Sequence, residues 1–153
     1  MRKAAVLILL LLFGCGMFTR GVEFSTLASG YDAAGITEQI NEVFIDSESF
    51  NSFWTIISAN KTPAPEAPAV DFSKDMVIAV SPGEMSSGGY TVEITKVASD
   101  GKKLAVTVAV TKPTGFATMV LTQPYHIIRL EKTDLPVEFT WEERLSSSTD
   151  KSE

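Results

Sequence analysis

The run Met76-Val77-Ile78-Ala79-Val80-Ser81 limits the fold of this chain more than any other segment. Successive side chains of a strand point to opposite faces. An apolar run without alternation therefore needs cover on both sides, and this one reads as a central strand. Downstream the alternation is clear. Tyr90, Val92 and Ile94 share one parity and Thr91, Glu93 and Thr95 the other, which predicts a strand over residues 90–98. Asp100-Gly101 is a hairpin signal. Residues 103–111 return with Leu104, Val106, Val108 and Val110 inward and Ala105, Thr107 and Ala109 outward, and Pro113-Thr114-Gly115 ends that strand. Residues 125–132 and 137–141 are expected to pair as a second hairpin around Thr133-Asp134-Leu135-Pro136, with Val137, Phe139 and Trp141 on one face.

One stretch has helical spacing. Phe50, Phe53, Trp54 and Ile57 fall at i, i+3, i+4 and i+7, an apolar stripe about one helix face. Asp46 or Ser47 suits the N-cap, Glu48 suits the positive end of the dipole, and Asn60 is expected to close the helix in the left-handed conformation. The stripe is expected to pack on the face carrying Leu104, Val106 and Val108. Before the helix, Val22-Glu23-Phe24 reads as a brief strand, residues 29–35 as turn and residues 36–45 as a strand. After it, Pro63, Pro65 and Pro68 make residues 61–68 an extended connector. The expected class is α+β: one helix packed on a mostly antiparallel sheet of about six strands, in a single domain over residues 22–145.

The N-terminus carries an address. Met1-Arg2-Lys3 is basic, and residues 4–13 are ten consecutive apolar residues. Spanning a bilayer takes about 20 residues, so the run suits the hydrophobic region of an export signal. It ends in Leu12-Phe13-Gly14-Cys15, which resembles a bacterial lipobox, with Phe13 bulkier than usual there. The chain has a single cysteine, which leaves it no disulfide partner within the chain. Residues 1–14 are therefore read as a lipoprotein signal peptide, Cys15 as the lipidated residue and residues 15–21 as a tether. Ordinary cleavage at Gly14-Cys15-Gly16, giving a soluble product, is the competing reading. Gly16 after the cysteine resembles outer-membrane sorting, if the cell has two membranes. The polar residues 146–153 are expected to be a disordered tail.

The net charge is −6, and loss of Arg2 and Lys3 leaves 11 basic against 19 acidic side chains, or −8. Such a body has no clustered cations for nucleic acid or anionic lipid. His126 is the only histidine, so no zinc-type site is expected. Ser86 and Ser87 precede Gly88-Gly89, but without Gly-x-Ser-x-Gly spacing, and a triad built on His126 is not expected. Gly83-Glu84-Met85-Ser86-Ser87-Gly88 has the glycine spacing of a phosphate loop but lacks the Lys-Ser/Thr and the helix that follow one. No catalytic residue, metal or cofactor is assigned. The segment of residues 81–90 is longer than a tight hairpin needs, so Ser86, Ser87, Gly88, Gly89 and Tyr90 are the candidate partner-binding residues. A purely structural role for its glycines and for Tyr90 competes with that reading.

Several segments in order resemble the C-terminal domain of PrcB-type protease complex subunits. They are Pro68-Ala69-Val70-Asp71-Phe72, Val77-Ile78-Ala79-Val80, Gly83, Ser87-Gly88-Gly89-Tyr90, Pro113 and Pro124-Tyr125-His126-Ile127-Ile128. The resemblance covers roughly residues 68–132. It implies an exported, often lipid-anchored accessory protein without catalytic residues, associated with an extracytoplasmic protein such as a protease; the lipobox reading adds attachment to a membrane through lipid on Cys15. The glycine element is also locally similar to the loop of small β-fold cysteine protease inhibitors, so inhibition by residues 86–90 is the alternative expectation.

Overall fold

The computed structural model describes residues 19–146. Among them are eight strands and one helix: β1 (Arg20–Gly21), β2 (Phe24–Gly30), β3 (Ile40–Phe44), α1 (Ser47–Ile57), β4 (Asp75–Ser81), β5 (Thr91–Ser99), β6 (Leu104–Lys112), β7 (Tyr125–Glu131) and β8 (Val137–Leu145). They form two four-stranded sheets, ordered β1-β5-β6-β8 and β2-β7-β4-β3. The α+β class holds. The expected single sheet of about six strands is instead two sheets, and the fold is mostly β.

Three layers result, and β4 explains them. Met76, Ile78 and Val80 face the other sheet, joining Val92, Ile94, Leu104, Val106, Val108, Ile128 and Leu130 in one core. Val77 and Ala79 face the opposite way, joining Phe44, Phe50, Trp54, Ile57 and Ile127 in a second. One sheet thus covers one face of β4 and the helix the other, as its unbroken apolar run requires. The helix stripe accordingly packs on Val77, Ala79 and Ile127, not on the expected face of Leu104, Val106 and Val108.

β7 and β8 do not form the expected hairpin. β7 lies between β2 and β4. β8 runs parallel to β6, from Leu104↔Val137 to Lys112↔Leu145. Residues 132–136 carry the chain from one sheet to the other. Val137, Phe139 and Trp141 still share a face and pack against the inter-sheet core. The turn residues permit a reversal but do not select the receiving sheet. In β5 a register shift between Ile94 and Lys96 changes the parity, so Val97 is buried after Val92 and Ile94. Ala109, expected outward on β6, is buried.

The local signals of the helix are accurate at its start and not at its end. Asp46 is the N-cap, its carboxylate accepting from Ser49 N at 2.9 Å. The C-cap is Ser58 (φ −98°, ψ 0°), with its N–H donating to Trp54 O at 3.0 Å. Asn60 is not left-handed, because the backbone continues in a tight turn in which Ala59 N donates to Ile56 O. The proline connector carries no helix or strand, and Trp54 Nε1 donates to Pro65 O at 2.8 Å, fastening it over the helix. The N-terminal strand begins at Phe24 and runs to Gly30, so Ser29 and Gly30, read as turn, are strand; the strand expected over residues 36–45 is confined to Ile40–Phe44. Arg20 and Gly21, at the end of the tether reading, pair with Ser99 and Ala98. Cys15, the signal peptide and residues 147–153 lie outside the described residues. No helix among the described residues is long and apolar enough to cross a membrane.

Candidate interaction site

The strand directions give the body two poles. β1 pairs with the far end of β5 through Arg20↔Ser99, and β2 starts beside the far end of β7 through Phe24↔Leu130. The described chain therefore enters at that pole. β4 ends, β5 begins, β6 ends and β7 begins at the other pole. The connections 82–90 and 113–124 lie there. Strands of seven to nine residues separate the poles by about 25 Å, at about 3.3 Å per residue.

The two connections are bonded to each other. Met85 N donates to Thr122 O at 2.7 Å and Thr122 N to Met85 O at 3.0 Å. Gly88 N donates to Thr118 O at 2.9 Å, and Thr122 Oγ1 to Ser87 O at 2.9 Å. Gln123 Nε2 donates to Glu84 Oε2 at 2.9 Å. Glycine is needed where the chains come closest, since a Cβ on Gly88 would collide with Thr118 Oγ1. Gly89 has φ +85° and lies against Pro113, the left-handed region that glycine adopts without strain.

The candidate residues thus separate. Ser86 is exposed, Ser87 offers its carbonyl to Thr122, and Gly88 and Gly89 permit the close approach. Tyr90 is half-buried and packs on the inter-sheet core, which is the structural role. Sequence reasoning passed over the neighbouring connection. There Phe116, Met119, Val120 and Leu121 are all exposed, Met119 to 91%. Its signal in the sequence is the absence of any Asp, Glu, Lys or Arg from residue 113 to residue 128. Nothing local distinguishes such a run from a buried strand.

His126 is buried on β7 and joins three strands. Nδ1 accepts from Ile94 N at 2.8 Å, and Nε2 lies 2.9 Å from Thr26 Oγ1. An N–H donor at Nδ1 fixes the proton on Nε2, which then donates to Thr26. Desolvation holds the imidazole below its ordinary pKa, with Glu93 opposing weakly. Both nitrogens are engaged, so neither is free as a base for Ser86 or Ser87. Among the described residues no three His, Cys, Asp or Glu side chains gather where a metal could sit.

Residues 76–131 match the family model described as PrcB C-terminal. The match covers the core of the resemblance, from the central strand through both polar connections to β7. No curated protein and no solved structure matches the chain.

Proposed function

We propose that this chain, whose residues 76–131 belong to the PrcB C-terminal family, is a lipid-anchored accessory protein of the cell envelope that holds an extracytoplasmic partner, a protease complex in the family's sense, without catalysing a reaction. One observation carries the reading. The described chain enters at one pole, and the exposed apolar connection lies at the other, about 25 Å away by strand length. A tether at Cys15 then leaves Phe116, Met119, Val120 and Leu121 pointing away from the membrane that holds the lipid. Exposed apolar patches of this kind mark contact sites.

The basic start, the ten apolar residues and Leu12-Phe13-Gly14-Cys15 support the anchor. Stable attachment takes more than one acyl chain, as lipoproteins of this type carry. The engaged state of both His126 nitrogens supports a holding role over hydrolysis. Inhibition by residues 86–90 has less support, because Met85, Ser87 and Gly88 already spend backbone groups on Thr118 and Thr122.

Two experiments test the reading. Cys15→Ser should move the chain from the membrane fraction and block processing at that site; a Cys15→Ser chain still membrane-bound at mature size would sink the anchor. Affinity capture from detergent-solubilised membranes should recover a peptidase-containing complex that keeps its activity. Stoichiometric loss of that activity would identify an inhibitor instead.

A further inference from the structure

The exposed connection has a backbone property that its apolar side chains alone do not reveal. Thr118 and Thr122 direct backbone groups toward Gly88 and Met85. In an extended chain these groups alternate sides, so Thr118 and Thr122 set the inner side, and Gln123, bonded to Tyr31 and Ala33, sets the outer side to which Met119 and Leu121 belong by parity. At Gln123 this outer edge is already paired by the chain itself: Gln123 N donates to Tyr31 O at 2.7 Å, and Ala33 N donates to Gln123 O at 3.1 Å. The parallel bridge Asp32↔Gln123 marks the contact. It stops there. Among the described residues no backbone hydrogen bond is formed by Met119, Val120 or Leu121; only Thr118 and Thr122 bond the glycine loop, and only Gln123 is paired on the outer side.

We propose that the open edge at Met119 and Leu121 receives one extended, apolar peptide segment of the partner protein, which continues the pairing that Tyr31 and Ala33 begin at Gln123. The proposal rests on the accessory-protein reading above and specifies how the partner is held. Backbone pairing supplies affinity and alternate side chains supply selectivity in such strand addition. Met119 and Leu121, 91% and 60% exposed, have one parity; Phe116 and Val120, 111% and 58% exposed, have the other. Apolar side chains thus flank the open edge on both faces.

Other occupants fit less well. Hydrocarbon has no donors or acceptors, so burying this edge in a bilayer would strand its backbone groups. The described chain leaves nearby, where Ser146 N donates to Lys112 O, and the residues that follow, 147–153, carry no apolar side chain to lay on the edge. A second copy would bring together two bodies, each carrying −6 over the full chain, and like charges oppose that contact. Glu84, whose carboxylate accepts only from Gln123 among the described residues, adds negative charge beside the edge. The favoured segment is therefore apolar and flanked by basic residues.

The probe is the fluorescein-labelled, end-blocked peptide Lys-Val-Thr-Val-Thr-Val-Lys, titrated onto the full lipidated chain in nanodiscs. Its control has the five central amides N-methylated. Saturable binding is expected, at least tenfold weaker for the methylated peptide. Leu121→Pro, which deletes an outward N–H, should weaken binding at least tenfold relative to Leu121→Thr, which keeps it. If Leu121→Pro proves unfolded in a thermal melt, the methylated peptide still decides. Equal binding of both peptides would reduce the site to side-chain contact and overturn strand addition. No saturable binding below about 1 mM would overturn it too, as would concentration-dependent dimerisation through this edge without peptide binding. Membrane attachment is read separately by fractionation of Cys15→Ser, so failure of anchoring and failure of strand addition are different results.

Discussion

Two charge-free runs of nearly the same chemistry have opposite fates in this molecule. Met76-Val77-Ile78-Ala79-Val80 is completely buried, while Phe116, Met119, Val120 and Leu121 are all exposed. Both are rich in residues that favour strands, though only the first is a strand. The difference lies in their neighbours. β4 has a strand on each edge, the other sheet over one face and the helix over the other. The connection over residues 113–124 has the glycine loop along one edge, Ser146 at its start and Tyr31–Ala33 at its end, and leaves Phe116, Met119, Val120 and Leu121 exposed between them. Burying a large aliphatic side chain stabilises by about 1.5–3 kcal/mol. The first run contributes this to folding, and the second, being exposed, does not.

The largest expected effect lies on the helix side of β4. Trp54→Ala removes a buried ring that packs on Phe50 and holds Pro65 O, and should cost about 3–5 kcal/mol in denaturant unfolding. A midpoint unchanged by this substitution would break the three-layer account. On the other face, Ile78→Ala should cost about 2–5 kcal/mol, since Ile78 is 0% exposed.

An intermediate effect is expected from His126, which links β7 to β2 and β5 across the sheets. Its pKa is lowered in the folded state, so the unfolded chain takes the proton first as pH falls. The stability it contributes is fully present above its unfolded value of about 6.5 and is lost as pH falls below that. Thermal melts should therefore drop between about pH 7 and pH 5, and His126→Gln should flatten that drop. Asp46, Asp71 and Asp100 also have lowered values, but their stabilising effect is lost at lower pH, below the ordinary carboxylate range. An equal slope in the variant would remove His126 from the account.

The smallest stability effects are expected at the far pole. Leu121→Thr and the double substitution Ser86→Ala, Ser87→Ala should each stay within about 0.5 kcal/mol of the parent. The serine pair uses only a backbone carbonyl, on Ser87, so capture of the partner should survive it. Phe116→Ser with Leu121→Thr, which removes two of the exposed apolar side chains but no backbone N–H, should weaken capture. Loss of capture with the serine pair alone would return the side chains of residues 86–87 to the site.

Local patterns determined much of this protein. The ten apolar residues before Cys15 are a statement about the chain alone. So is the helix start, because Asp46 and Ser49 are three residues apart and cap geometry is local. The Asp100-Gly101 hairpin forms where it was expected for the same reason. The order of PrcB-like segments was also legible before any fold was known. Tertiary structure decided what depends on partners distant in sequence. The β7–β8 reversal crosses to the other sheet because the inward face of β8 is satisfied by a core that residues from several strands build together. Inward parity on β5 changes at a bulge that spacing did not mark. The open edge at Met119 and Leu121 depends on where Tyr31, some ninety residues earlier, stops pairing. An apolar sequence states that cover is favourable; only the assembled neighbours determine whether the chain supplies that cover itself or leaves it to another molecule.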